Sequence, residues 1–303
     1  MPAVSVLMPV YNGVAFLGPA LDSICRQQAV DWELIAVDDG STDKSGTILD
    51  RAAASDPRIR VFHTPNRGLI AALNLGLGEV RAERVARMDA DDVAEPERLL
   101  RQCRLLEAKP DLIACGTWAL MIDPEDRPIA RVRPPVEHEA IVAALQAGHG
   151  TALIHPTLVA RRSALEAIGG YHADWLHTED FDLYLRLAEY GRLANLPEVL
   201  LRYRQHPGSV NARRAAYQRA SIRARLAGDP PPPAPADRAG PDRPPDPVAT
   251  RLHWARLAYQ DGARANGDRQ RALAWRNGWY RPGTWPDFFR TARLANRATG
   301  RTS

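Results

Sequence analysis

Val4-Ser5-Val6-Leu7-Met8-Pro9-Val10 is a largely apolar, β-branched run that halts at Tyr11-Asn12-Gly13, the pattern of a buried strand entering a turn. From about Ala15 to Gln28, Phe16, Ala20, Leu21, Ile24 and Cys25 recur at helical spacing. Glu33-Leu34-Ile35-Ala36-Val37 predicts a second strand, which runs into Asp38-Asp39-Gly40-Ser41-Thr42-Asp43. Ile48, Leu49, Ala52 and Ala53 mark a helix, Arg60-Val61-Phe62 a third strand, and Leu69, Ala72, Leu73 and Leu75 a further helix. Val85-Ala86-Arg87-Met88 predicts a short strand ending at Asp89. Later, Leu112-Ile113-Ala114-Cys115-Gly116 reads as another short strand and residues 151–160 as a strand. Residues 180–190, with Phe181, Leu183, Tyr184, Leu187 and Ala188, read as a helix.

This alternation predicts an α/β fold, a mainly parallel sheet flanked by helices. Ligands of such sheets sit beyond the carboxyl ends of the strands. Tyr11-Asn12, Asp38-Asp39 and Asp89–Asp92 each follow a strand directly, so three segments deliver polar residues to one edge. Residues 230–247 hold nine prolines, which suits an extended linker. A last segment from about Pro247 to Ala295 carries Trp254, Trp275, Trp279 and Trp285.

Charge changes this picture more than bulk composition does. An apolar content of 45% with 25% charged residues is ordinary for a soluble globular chain of 303 residues. No apolar run approaches the roughly 18 to 20 residues needed to cross a bilayer, and the start lacks the features of a signal peptide, so a cytoplasmic location is expected. Cys25, Cys103 and Cys115 form no CxxC pair and read as buried or incidental thiols. The net charge of +4 conceals a split: residues 202–303 carry 20 Arg and 7 Asp with no Lys or Glu, which is +13, leaving −9 for the rest. An acidic body can hold a metal, and a basic tail can face something anionic, an inner membrane face included; alternatively the arginines solvate helical surfaces. No nucleic-acid-binding motif accompanies them.

Asp89-Ala90-Asp91-Asp92 is the first candidate for chemistry. Carboxylates so spaced after a strand can reach one hard cation, Mg²⁺ or Mn²⁺, and the phosphates it bridges. The alternative is a turn or a helix N-terminus, since Asp suits both and Pro96 follows soon.

The surrounding motifs resemble glycosyltransferase family 2, whose members are inverting and have the GT-A fold. Val4–Gly13 resembles its opening strand, and Glu33–Asp43 its second strand with the nucleotide-recognition turn. Asn66-Arg67-Gly68-Leu69 and Ala72–Gly76 fit the next element, and Ala86–Asp92 with Pro96-Glu97-Arg98-Leu99 the metal motif and its helix. Ile168-Gly169-Gly170-Tyr171, Glu179-Asp180-Phe181-Asp182-Leu183 and Tyr203–Ser209 follow in order, so the resemblance covers roughly residues 3–210. It implies a GT-A domain over 1–210, with a nucleotide-binding half and an acceptor-binding half. A basic helix (211–229), the Pro-rich linker (230–247) and an Arg/Trp-rich helical segment (248–303) would then follow.

The resemblance also implies roles. Tyr11 would stack on a base while Pro9, Val10 and Asn12 line its pocket. Asp39 would accept the uracil N3–H, favouring a UDP-sugar, with Asp38 capping the turn. Arg67 would neutralise phosphate or hold the base. Asp89 would face the ribose, Asp91 and His206 ligate Mn²⁺ or Mg²⁺, and Asp92 orient the donor sugar. Asp180 would be the base that deprotonates a glycan or lipid-linked acceptor, with Glu179 as helper. No QxxRW-like segment follows His206, which points to single-sugar transfer rather than processive synthesis. Two other readings compete. A sugar-1-phosphate nucleotidyltransferase needs a Gly-rich, Arg-containing loop after the first strand, where Pro9–Val14 stands instead. A non-catalytic nucleotide-sugar binder would need a defect, and every catalytic carboxylate is in place.

Overall fold

The computed structural model describes residues 1–206, 210–234 and 246–276, with Thr291 and Leu294. Pro207-Gly208-Ser209, most of the Pro-rich stretch, Trp279 and Trp285 lie outside the described residues. The chain forms two compact units. The first comprises Met1–Ala119, Arg133–Tyr203 and Tyr217–Ala234; the second comprises Leu120–Val132, Arg204–Ala216 and the described residues from 246 onward.

The first unit is built on β1 (Val4–Val10), which pairs in parallel with β2 (Trp32–Asp38) and β4 (Arg84–Arg87). β2 in turn pairs in parallel with β3 (Ile59–His63). β1 and β2 are buried at every position, which is why their sequences run apolar instead of alternating. The exception in β1, Ser5, donates to Glu33 Oε1 at 2.6 Å and accepts from Ala82 N at 3.0 Å, so its buried hydroxyl is satisfied.

Helices α1 (Leu17–Cys25), α2 (Ser45–Ser55) and α3 (Leu69–Glu79) connect these strands. α3 rests directly on the sheet at Gly76, where a Cβ would collide with Leu7. The pairing turns antiparallel at β8 (Val159–Arg161), which joins β4 to β6 (Leu112–Ile122). The full order is β3-β2-β1-β4-β8-β6-β9-β5, with β7 (Pro128–Val132) paired to β6. β5 is Val93–Ala94 and β9 is Arg192–Arg204. The remaining helices are α4 (Arg98–Ala108), α5 (His138–Gln146), α6 (Arg162–Ala167), α7 (Glu179–Tyr190) and α8 (Val210–Ala227).

The α/β class follows the sequence expectation, with one local correction. Residues 151–160 are not a strand: two single-turn 3₁₀ helices, Gly150–Ala152 and His155–Thr157, occupy most of the stretch. Pro156 has no N–H to give a ladder, and Thr157 turns its hydroxyl back onto Ile154 O at 2.7 Å. Pairing resumes only at Val159.

In the second unit, α9 (Pro247–Gln260) and α10 (Arg264–Arg276) pack with the β6–β7 hairpin. Asp246 caps α9 by accepting from Val248 N at 2.9 Å, with Pro247 at the first helical position. Trp254 packs with Ile129 and Ala130. Asp123, fully buried, accepts at one oxygen from Arg127 Nε (2.8 Å), Arg251 Nη1 (2.7 Å) and Gln270 Nε2 (3.1 Å). Among the described residues, no helix is long and apolar enough to cross a membrane.

Candidate active site

The parallel strands end side by side. Pro9 and Val10 close β1, both buried, and Val10 O accepts from Asp39 N at 2.9 Å. Asn12 follows in the left-handed region (φ 50°), which Asn tolerates better than most residues. Its Oδ1 accepts from Thr42 N (2.8 Å) and Asp43 N (3.3 Å), and its N–H donates to Ser41 Oγ (3.0 Å). Asn12 thus joins the loop after β1 to the turn after β2. Tyr11 beside it stays 52% exposed, so its ring face is accessible.

The two aspartates after β2 divide their work. Asp38 accepts from Ser41 N at 3.0 Å, capping the turn, and meets His63 Nδ1 at 2.9 Å. Asp39, only 4% exposed, accepts from Arg67 N and Gly68 N, each at 2.8 Å. A carboxylate offers about four lone-pair sites, so Asp39 keeps acceptor capacity for a ligand N–H. Gly68 has φ 91°, a conformation that requires glycine there. Arg67 is tied through its backbone and leaves its side chain exposed.

Asp89, Asp91 and Asp92 follow β4, and each offers a carboxylate oxygen within 4.8 Å of the others'. They do not start a helix, because β5 intervenes and α4 begins only at Arg98. A Cβ on Gly13 would lie 3.6 Å from the Ala90 Cβ, so the loop after β1 borders this cluster. Burial raises the Asp89 pKa; the charge of Arg87 opposes that rise and the charge of Asp91 adds to it. Two buried arginines stand against the three carboxylates. Arg87, 3% exposed, donates from Nη2 to Asp89 Oδ1 at 2.7 Å and from Nη1 to Met88 O. Arg98, fully buried, donates to Arg87 O at 2.6 Å and to Gln102 Oε1 at 3.1 Å. Burial pulls its pKa down to about 10, against the attraction of Asp92. An all-oxygen, anionic donor set of this kind fits a hard divalent cation.

The second pair of carboxylates opens α7. Glu179 is 6% exposed, and its Oε2 is buried without a hydrogen-bond partner among the described residues. Burial, then the neighbouring Asp180 charge, raises its pKa to about 8. Asp180, partly exposed, accepts from Phe181 N at 2.8 Å. Its pKa rises to about 6 through burial, held back by backbone hydrogen bonds and by Arg87. Adjacent carboxyls with pKa values pushed apart allow one to stay protonated while the other accepts a proton. Tyr171, which feels the charge of both carboxylates, meets His155 Nε2 through its hydroxyl at 2.9 Å, and burial keeps the imidazole neutral.

Arg87 has no role in the sequence reading, yet its charge bears on Asp89, Glu179 and Asp180 alike. Its one signal was a charged residue inside an apolar strand. His206 follows β9 in the second unit and is half-buried. All three cysteines are free thiols. Cys103 and Cys115 are buried, with pKa values pushed up to about 11 and about 12, so neither is an activated nucleophile.

The family model described as Glycosyl transferase family 2 matches residues 5–169. The protein named "Putative glycosyltransferase EpsE" of Bacillus subtilis (strain 168) is 35% identical over 221 residues, covering 71% of this chain and 78% of that protein. S. aureus TarS 1-349 in complex with UDP-GlcNAc aligns at a TM-score of 0.57 and 14% identity, covering 97% of this chain and 81% of that one. The mannosyltransferase PcManGT from Pyrobaculum calidifontis, in complex with GDP-Man and Mn²⁺, aligns at 0.57 and 22% identity, covering 98% and 86%. At such identities these structures speak for the fold, which is GT-A. The family match takes in the strand ends and the carboxylate cluster alike, and the chain belongs to glycosyltransferase family 2 and is a glycosyltransferase.

Proposed function

We propose that the protein transfers a single sugar, with inversion, from a UDP-sugar to a hydroxyl of a glycan or lipid-linked acceptor, and that Mn²⁺ or Mg²⁺ is required. The observation that carries this reading is the meeting of the Asp89, Asp91 and Asp92 carboxylates, each offering an oxygen within 4.8 Å of the others', at the end of a parallel strand. Asp91 is the proposed principal ligand, with Asp89 on the ribose side and Asp92 toward the donor sugar. The assignment of His206 to the same ion rests on the family resemblance. When bound, the cation supplies charge stabilisation to the departing diphosphate.

Asp180 is the proposed base. Its carboxylate takes the proton of the acceptor hydroxyl as that oxygen bonds to the anomeric carbon. The bond from that carbon to the diphosphate oxygen breaks on the opposite face, which inverts the centre. A base whose pKa lies near 6 is mostly ionised at neutral pH and still basic enough to accept the proton. Glu179, whose pKa is near 8, is mainly protonated at that pH and can donate a hydrogen bond beside the base. Tyr11 stacks on the nucleobase, a contact that gains about 1–3 kcal/mol per base in nucleic-acid systems. Asp39 receives the base N–H with its remaining lone pairs, and Arg67 reaches the phosphates or the base.

A panel of UDP-glucose, UDP-galactose, UDP-GlcNAc, CDP-glucose and GDP-mannose, each with Mn²⁺ and scored for nucleoside diphosphate release, tests this reading. Turnover of a UDP-sugar that stops in excess EDTA supports it. Preference for a guanosine or cytidine donor would remove the uridine assignment, and full turnover in EDTA would remove the metal.

Loose docking on an anionic membrane face is the smaller part of the proposal. Among the basic residues at the end of β9 and on α8, Arg202 pairs with Glu95, Arg204 with Asp126 and Arg225 with Asp182, while Arg214 is buried. Arg219 and Arg223 are exposed and would each gain about 1 kcal/mol at such a surface. Sedimentation with anionic and neutral vesicles at low salt tests this; no binding to either would remove it.

A further inference from the structure

The basic helix has a use that charge alone does not suggest. From Tyr217 onward α8 presents one face to the segment that leads into the Glu179-Asp180 pair. Gln218 Nε2 donates to His177 O at 3.0 Å, and the Tyr217 and His177 rings meet edge-on at 6.0 Å. Ser221 is buried, and Ile222 packs against the main hydrophobic core. Arg225 Nε donates to Asp182 Oδ1 at 2.7 Å, while its guanidinium lies 5.7 Å from the Trp175 ring centre. Residues 217/218, 221/222 and 225 recur at three- to four-residue spacing and form one stripe of the helix.

What this stripe holds is a part of the chain that needs holding. His177 adopts φ 63°, a left-handed conformation that a non-glycine residue keeps only when its surroundings impose it. Asp182, 1% exposed, lies in the first turn of α7, two residues after Asp180. A buried carboxylate persists only with partners. Its partners come from three places: Arg225 of α8, Arg186 of α7 with Nε 2.8 Å from Oδ2, and His172 with Nδ1 3.5 Å from Oδ2. The first turn of α7, and the Asp180 carboxylate with it, is therefore braced from α8.

We infer that Arg225 and Gln218 are positioning residues for the base, acting through Asp182 and through the His177 carbonyl. This rests on the proposed role of Asp180. A carboxylate displaced by a fraction of an ångström from the attacking hydroxyl loses rate far more than donor affinity.

The test uses the full chain and the donor that the panel above selects. Arg225→Met is expected to lower kcat about tenfold or more while the donor KM stays within about twofold, and Gln218→Ala to do the same to a lesser degree. Arg225→Lys, which keeps the charge, is expected to recover most of the rate. Amide hydrogen exchange over residues 172–182 should rise in Arg225→Met and Gln218→Ala. Within an Asp180→Asn background, Arg225→Met should cost nothing further, because the group it positions is already disabled. A kcat within about twofold of wild type in both variants would overturn the inference, as would an undiminished loss in the Asp180→Asn background. Should Arg225→Met fail to fold, Gln218→Ala gives the same kcat, exchange and Asp180→Asn-background readings, and its near-normal kcat would then overturn the inference. Near-normal turnover in Asp180→Asn alone would instead remove the base assignment, so the two failures are distinguishable.

Discussion

Asp89 and Asp123 are both aspartates at the end of a strand, and the protein treats them in opposite ways. Asp123 has its charge met in full. Burial alone would raise its pKa, but hydrogen bonds from Gln270, Arg127 and Arg251 outweigh that and hold the carboxyl below the ordinary range. Asp89 shares its surroundings with Asp91, Asp92 and, farther off, Glu179. Arg87 and, more weakly, Arg98 do not offset burial and the charge of Asp91, and its pKa is raised. The first arrangement stabilises structure. The second gathers three carboxylates and raises the pKa of Asp89, a perturbation of the kind found where something else is to bind or react. The difference separates an anchor that ties the C-terminal helices to the β6–β7 hairpin from a site.

Four experiments can break or sharpen that contrast. The largest effect is expected on the side of the site. Asp180→Asn keeps the shape of the proposed base but cannot take a proton, so kcat should fall by about 10² to 10⁴ while UDP binding by calorimetry is retained. Near-normal turnover would mean that another group is the base.

The second experiment sets the two aspartates side by side. Asp123→Ala removes the buried carboxylate shared by the Gln270 amide, Arg127 and the mostly buried Arg251, and should cost about 3 kcal/mol in a denaturant titration. Asp89→Asn removes one of several mutually repelling charges and should cost much less, or raise the midpoint. Equal destabilisation by the two would erase the distinction.

How much of this was readable from the chain follows from range along the sequence. The strand-end clusters were legible because each is local: an apolar run, then Tyr11-Asn12, Asp38-Asp39 or Asp89–Asp92 within a few residues. The anchor at Asp123 was not, since its partners Arg251 and Gln270 lie 128 and 147 positions away. Arg87 was visible as an oddity in a strand, but the groups around it come from α7 and cannot be inferred from spacing. β9 escaped because it is a long strand of mixed polarity, and residues 151–160 were misread because an apolar run with β-branched residues does not by itself reveal a Pro-induced turn. The Arg-rich helix was read as charge, whereas its Arg225 acts through one specific buried partner.

A smaller effect is expected at Asp39. Its carboxylate already holds the Arg67 and Gly68 amides, so Asp39→Ala loses the loop contacts together with the proposed bond to the base. UDP affinity should drop about tenfold or somewhat more, with the metal requirement unchanged. Unchanged UDP affinity would take Asp39 out of the nucleotide site.

The mildest test is pH. In its proposed role as base Asp180 must be ionised, and its pKa is raised to about 6. The rate should therefore hold near neutrality and fall on acidification through about pH 6, by about tenfold per unit below it, whereas an unperturbed aspartate would hold activity to about pH 4. An acid limb at that lower pH would show that burial does not tune this group.

Cation binding at the cluster tests the central claim most directly, and it needs no acceptor. Titrating Mn²⁺ into the protein with UDP present, followed by electron paramagnetic resonance, should show one bound ion per chain in the wild type and none at the same concentrations in Asp91→Ala, whose melting temperature should be no lower. Loss of the bound ion together with loss of turnover would bear out a cluster built around a cation. Equal Mn²⁺ binding by Asp91→Ala, or full turnover by that variant, would contradict it.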